Sequence, residues 1–429
     1  MKLKAILVGC GDRTSVYANY AVNVFNDVEV VAAVDPNPER LKYVQEHFNV
    51  PADKCYSNIQ EVLSQGKIAD LVINGTMDSL HVETSVPFLQ QGYNMLLEKP
   101  ITNNEEDLLK LVRTAKEHNC KLMICHVLRF SPFYREIKRT ILSGEIGNVL
   151  NIDTSERVGA YHSSVSYLRG KWNSEKNCGS SLLLAKCCHD IDLIAWFNNV
   201  TRPVMVFSEG KRDYFNSKDA PKGCGERCLM DCPKEIKEKC LYDAEGMYIK
   251  NDLLPWYPWQ CTGKNYQDIT LEEKIKSIKS DNPHGRCVFK CGGDLVNHQH
   301  VIISFANGSS ACHTLVLGAM KADRTIFITG TKGEIEGSVS SGVLYIRTYN
   351  KETAGYNERV INFNETKGET GGHFGGDKGL VQDMISYFRN GEPSISTTSI
   401  DDSLVGHLVV YDADKSLFLG EPVKFDHKI

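Results

Sequence analysis

The chain has 429 residues, enough for two domains and a large core. Its apolar (41%) and charged (24%) fractions are ordinary for a globular protein, and a net charge of −5 with both signs interspersed gives no basis for a nucleic-acid partner. No apolar run approaches the ~18 residues of a membrane span, and the short apolar run behind the basic start leads straight into a glycine loop rather than a signal-peptide cleavage site, so a cytoplasmic protein is expected.

Residues 5–8 (AILV) form a short apolar run that breaks at Gly9, the pattern of a buried parallel strand. Gly9, Gly11 and Thr14 then occupy the three positions of a dinucleotide-binding loop. The first glycine permits a tight turn. The second lets the backbone approach a pyrophosphate at the N-terminus of the next helix, and the third position needs a small residue for close helix–strand packing. A helix is expected from about Ser15, then a second apolar strand at 28–34 ending in Asp35. Asp35 follows Thr14 by 21 positions, near the ~20 expected of a carboxylate that binds ribose hydroxyls and disfavours a 2′-phosphate. NAD is therefore the expected cofactor, with Arg13 and Pro36 at the same edge.

Residues 36–50 read as a helix with Pro36 and Pro38 near its start, 69–74 (ADLVIN) as a third strand, and 81–91 as a helix. A fourth strand at 94–97 ends in Glu98-Lys99-Pro100, followed by a helix at 104–119 and a strand at 121–125. Regular alternation of strands and helices argues a parallel sheet with helices on both faces, and ligands bind beyond the carboxyl ends of such strands. Gly9, Asp35, Thr76 and Lys99 should converge there. Farther on, strands are expected at 149–158, 205–209, 300–305, 310–317 and 324–329, with a hairpin turn at Asn307-Gly308 and a helix at 378–390.

The glycine loop, the strand-end Asp35, the segment from Thr76 to His81, Glu98-Lys99-Pro100, Arg129-Phe130, the Gly144-Glu145-Ile146-Gly147 turn and His189-Asp190-Ile191-Asp192 together resemble the Gfo/Idh/MocA family of NAD(P)-dependent sugar oxidoreductases. The resemblance spans most of the chain outside roughly residues 208–295. It implies an α/β protein. A doubly wound Rossmann domain (1–125) would precede an α+β domain (126–429) built on an open, mainly antiparallel sheet. It also implies cofactor contacts from Thr76, His81 and Glu98, and a homo-oligomer.

Lys99 sits beside a proline at a strand end, where its charge can stabilise a developing alkoxide. By resemblance it is the family's catalytic lysine. His189 matches a family histidine near the substrate, whose ring can accept a hydroxyl proton. In the family an Asp precedes that histidine by four residues on the same helix; here the position is Ala185, next to Lys186. Asp192 is expected to hold a structural hydrogen bond. Arg129, His162, Arg169, Trp172, Lys186 and His373 lie in segments that flank the family's substrate cleft, and aromatic rings and multidentate donors suit sugars.

Fifteen cysteines is a high and odd number. Cys10, Cys125 and Cys312 sit in apolar runs and read as core thiols. A disulfide framework is not expected in a chain of this size and compartment. Six more cysteines cluster in CGERCLMDCPKEIKEKC and GRCVFKC, within an irregular, proline-containing insertion at about 208–295. Clustered thiolates suit a structural zinc or an iron–sulfur cluster, although the spacings fit neither a zinc ribbon nor a ferredoxin run. Reduced thiols and disulfides are the alternatives. The four taken as ligands are Cys228, Cys232, Cys240 and Cys291.

The leading functional expectation is NAD-dependent oxidation of a hydroxyl on a sugar or glycoside. An alternative is redox-neutral glycoside cleavage, in which oxidation at C3 acidifies the C2 proton, the aglycone is eliminated, water adds and the hydride returns. A second alternative is a dinucleotide or sugar sensor without catalysis, against which intact Lys99 and His189 argue.

Overall fold

The computed structural model describes residues 1–264, 266–365 and 372–427. The first sheet contains β1 (Leu3–Val8), β2 (Val28–Val34), β3 (Cys55–Tyr56), β4 (Leu71–Asn74), β5 (Asn94–Leu97) and β6 (Leu122–Ile124). Its order is β3-β2-β1-β4-β5-β6 and every pairing is parallel. Strand order reverses between β1 and β4, which opens a crevice at their carboxyl ends. Alternate residues of β1 serve opposite faces: Ala5 and Leu7 join one buried cluster, Ile6 and Val8 the other. Because both faces are covered, the strand reads as an unbroken apolar run.

The second sheet contains β7 (Val149–Gly159), β8 (Pro203–Lys211), β9 (His298–Phe305), β10 (Ser310–Ala319), β11 (Asp323–Gly330), β12 (Gly333–Ser338), β13 (Val343–Asn350), β14 (Gly355–Asn362) and β15 (Val423–Lys424). Their order is β14-β13-β12-β11-β7-β10-β9-β8-β15, antiparallel except for the β7–β10 pair. The chain is thus an α/β protein, with a parallel Rossmann sheet followed by a mainly antiparallel one. The Asn307-Gly308 turn joins β9 to β10, and Gly308 takes φ +88° there.

Four helices position the site: α1 (Asp12–Asn19), α2 (Cys188–Phe197), α3 (Gly376–Asn390) and α4 (Ile400–Leu419). Helix α3 lays Leu380, Val381 and Met384 on the same face of the first sheet as Leu7, so a late segment of the chain packs against the first domain. Where the resemblance places positions 185 and 189 on one helix, the chain forms a wide π-helical turn, Leu183–Cys187, followed by α2, with Cys187 bending out of helical geometry at φ −102°, ψ 7°. Ala185, His189 and Asp192 therefore do not share one unbroken helical face.

The cysteine-rich insertion leaves and returns at one place. Lys211 pairs with His298 at the ends of neighbouring strands, so residues 212–297 form an excursion from a single edge. The excursion has little regular structure; its longest helix, Leu271–Lys279, starts with a capping box between Thr270 and Glu273.

Candidate active site

The carboxyl ends of the first sheet are in register. The Gly9 amide donates to Val34 O, the Gly75 amide to Val8 O, and the Glu98 amide to Asn74 O. Gly9 has φ +74°, and a Cβ there would lie 2.7 Å from the Thr76 amide nitrogen. Only glycine fits. Thr14 is fully buried, donates its hydroxyl to Gly9 O at 2.7 Å, and packs so close to Gly75 that a Cβ on that residue would strike its hydroxyl. The small residue at the third position of the loop thus makes the tight helix–strand contact. Gly11 caps α1 without any side-chain hydrogen bond, and a Cβ on it would meet nothing within 4 Å. The N-terminus of α1 is thus open at Gly11 and carries no side-chain cap, which fits the approach of a pyrophosphate.

Asp35 is buried at the tip of β2. It accepts the Cys10 and Asn37 amides at 2.8 Å each, and Arg40 stands 3.4 Å away. The carboxylate therefore shapes the loop as well as the ribose end of the crevice. Pro36 beside it is exposed.

Three of the expected cofactor residues are committed to the protein. His81 is buried, with Nδ1 on Pro100 O at 2.8 Å and Nε2 on Thr76 O at 3.2 Å, so it ties the Lys99-Pro100 turn to the Thr76 loop. Glu98 accepts from Tyr17 Oη at 2.6 Å, from the Lys99 amide at 2.7 Å and from Arg13 at 3.3 Å. Arg13 also pairs with Asp377, at 2.5 Å, in the first turn of α3. This ion-pair chain fastens α1, β5 and α3 around the crevice. Thr76 lines it and hydrogen-bonds Asn74.

Lys99 is partly buried and donates its ammonium to Ala185 O at 2.9 Å. Burial pulls its pKa down, but the acidic groups of Cys188, Glu98, Asp78 and Tyr257 more than offset this and leave it above the ordinary lysine value. His189 is buried, and among the described residues its Nδ1 has no hydrogen-bond partner. Burial, then the charge of Lys99, then His126 and His373 hold its imidazole well below the usual histidine pKa. The pair is thus a fixed cation beside a neutral base. The His189 ring lies 5.6 Å from His126 and 6.2 Å from His373. His373, at φ +52°, is oriented by Asp377, 3.0 Å from its Nδ1.

Other candidates separate into two groups. His162 lies against Tyr167 and, with Trp172, against Tyr257, forming an aromatic wall. Tyr257 comes from the cysteine-rich excursion, and Lys99, Asp12 and Arg13 act on its phenol. Arg129 and Arg169 instead have to be corrected to structural residues. Arg129 is 2% exposed and grips Asp192 through two bonds of 2.7 and 2.6 Å, the structural partner expected for Asp192. Arg169 is 1% exposed and bonds Arg286 O, Tyr242 O and Ser164 inside the second domain. Neither guanidinium reaches the crevice. Lys186 is paired with Glu156 at 3.0 Å, and Glu156 and Asp190 both take Arg324. The charge of Lys186 is therefore compensated. Tyr257, His126 and Arg324 escaped the sequence reading because partners such as His162, His189 and Asp190 are far away in the chain, as is Glu98, which accepts from Tyr17.

Such a fold and site define an NAD-binding oxidoreductase. The sequence matches the oxidoreductase family's NAD-binding Rossmann-fold domain over residues 3–126 and its C-terminal alpha/beta domain over residues 138–400. The chain belongs to the Gfo/Idh/MocA oxidoreductase family. It is 25% identical to YteT of Bacillus subtilis over 371 residues, 83% of this chain and 82% of that one. It is 29% identical to the trans-1,2-dihydrobenzene-1,2-diol dehydrogenase of Xenopus tropicalis over 184 residues, 43% of this chain, and so spans about half (53%) of that relative. Among solved structures, the scyllo-inositol dehydrogenase from Lactobacillus casei with bound NAD(H) and scyllo-inositol superposes with a TM-score of 0.67 at 17% identity, covering 99% of both chains. Among the described residues no helix is long and apolar enough to cross a membrane.

Proposed function

We propose that this protein oxidises a secondary hydroxyl of a sugar or glycoside, with NAD preferred over NADP. The carrying observation is that the Lys99 ammonium, at the carboxyl end of β5, is held on Ala185 O at 2.9 Å, four positions before the buried His189, whose imidazole burial and the Lys99 charge keep neutral. Bound NAD supplies the hydride acceptor. Lys99 stabilises negative charge as it develops on the substrate oxygen. His189 takes the hydroxyl proton on its ring. The aromatic wall of His162, Trp172 and Tyr257 offers a face for a sugar ring, and His373, held by Asp377, offers a polar contact beside His189. The polyol and diol dehydrogenases among the relatives support this substrate class.

Glycoside cleavage through C3 oxidation would form an enediolate that needs cations beside it. Lys186, next to Ala185, is a candidate besides Lys99, but its charge is paired with Glu156 at 3.0 Å. Net oxidation is therefore the reading we adopt. The test is a panel of sugars, polyols and glycosides incubated with NAD or NADP. Accumulation of reduced nicotinamide with at least one sugar supports the assignment; no turnover across the panel, with NAD bound, opposes it.

A further inference from the structure

We propose that the cysteine-rich excursion holds a thiolate-bound metal centre in the small cavity between its two cysteine-bearing loops. The cavity is about 20 Å³ and is lined by Cys224, Cys228, Cys232, Cys240 and Cys287. Ile236, Val288 and Tyr242, together with the charged Arg169, Lys237 and Asp243, are among its other lining residues. Cys291, taken from the sequence as a ligand, does not line it; its thiol turns back to Cys287 O at 3.2 Å. Cys224 and Cys287 replace it as candidates, and the four ligands are drawn from the five lining thiols.

Two further features fit a metal better than idle thiols. The loops are pinned together beside the cavity: the Cys228 amide donates to Gly285 O at 3.0 Å and the Cys287 amide to Glu226 O at 2.8 Å. This brings thiols more than fifty positions apart in the chain to one point, with the Cys224 and Cys287 sulfurs 3.9 Å apart. That is close to the ~3.8 Å between two thiolates on one zinc with Zn–S bonds of about 2.3 Å. The second feature is Arg169. It is buried beside Cys228, with a guanidinium nitrogen 3.6 Å from the sulfur, and among the described residues it makes no ion pair with a carboxylate. A buried cation without a counter-charge is costly. Four thiolates around a metal carry excess negative charge and supply it.

The two cysteine-bearing loops have little regular structure of their own, and a metal stabilises such irregular loops. Since Tyr257 rises from it into the crevice wall, the centre braces that wall. Thiolate chemistry admits a single zinc or an iron–sulfur cluster. No three of these sulfurs lie within 4.8 Å of one another as the loops stand, so a single zinc would draw the loops closer around it, whereas a multi-iron cluster would take its ligands at wider spacing.

The test is metal and thiol analysis of full-length protein purified without chelator, once in air and once anaerobically. About one zinc per chain, or iron with matching acid-labile sulfide and visible absorbance, supports the centre and tells the two apart. Cys228→Ser should lose most of that metal, whereas Cys261→Ser, an exposed thiol outside the cavity, should retain it. If Cys228→Ser does not fold, the wild-type content decides. Metal-free wild-type protein, with all fifteen cysteines titrating as thiols in denaturant or a pair lost to a disulfide, overturns the proposal.

Discussion

Lys99 and Ala185 are joined by a hydrogen bond, the ammonium of one donating to the main-chain oxygen of the other at 2.9 Å. The family pattern places an aspartate where Ala185 stands. Here the π-helical turn Leu183–Cys187 presents the carbonyl of the same residue, and the lysine keeps an anionic-leaning partner without a carboxylate. A carbonyl holds the ammonium in place yet leaves its full charge for a substrate oxygen. Lys99→Ala should lower kcat/KM by ~10²-fold or more, while calorimetry should find NAD affinity nearly unchanged, because the dinucleotide loop does not depend on the ammonium.

His189 should act as a base well into mildly acidic solution. Its ring is held neutral by burial and by the charge of Lys99, so the acid limb of the kcat/KM profile should fall below the ordinary histidine range. His189→Ala should reduce turnover by ~10²-fold or more and abolish that limb. A profile with an unshifted limb near pH ~6.5 would show that another group titrates.

The same burial makes stability pH-dependent. Burial holds His126 and His162 well below the usual value, His284 at about 4 and His407 at about 3. These rings stay neutral in the folded chain but take up protons when unfolded below about pH 6.5. The unfolded state then binds more protons, so this contribution is fully present above pH ~6.5 and is lost as pH falls. Asp377 adds to the loss at lower pH. Burial opposes its charge, but His373 and Arg13 outweigh this and bring its pKa to about 2, so its stabilising pairing disappears as pH falls from ~4 toward that value. Urea midpoints at about pH 7.5 and about pH 5 should show the lower one clearly destabilised.

Arg129 and Asp192 form a buried, two-bond ion pair. Arg129→Met strands the Asp192 carboxylate and should cost about 3–5 kcal/mol in chemical denaturation. The fraction that remains folded should show a nearly unchanged KM, in contrast to what a substrate-binding arginine would give.

The dinucleotide half of the site was legible because its signals are local. Gly9, Gly11, Thr14 and Asp35 each answer to backbone geometry within one strand–helix–strand unit. Lys99 and His189 could be picked out because short motifs mark them. Arg129 and Arg169 were misjudged, and the pairing of Lys186 was not foreseen, for the opposite reason: their partners Asp192, Tyr242 and Glu156 lie up to 73 positions away, and nothing in a single sequence announces such pairings. The strands β12, β13 and β14 and the long helix α4 also escaped notice. Their exposed or continuously buried faces give no clean alternation; β14, for instance, is mostly exposed.

Cofactor selectivity should follow Asp35. Replacing it in Asp35→Ser with Pro36→Arg should weaken NAD and improve NADP binding, since the negative charge facing a 2′-phosphate is removed and a positive one added beside Arg40. Asp35 also holds the Cys10 and Asn37 amides, so the double variant should melt at a lower temperature than the wild type. Calorimetric titration with both dinucleotides checks the selectivity separately from the melt.

The most direct test of net oxidation is an aryl glycoside incubated in D2O with a limiting amount of NAD. The account predicts reduced nicotinamide formed in proportion to oxidised sugar, no aglycone release, and no deuterium at C2. Sustained phenol release without net reduced nicotinamide, and with deuterium at C2 of the liberated sugar, would contradict it.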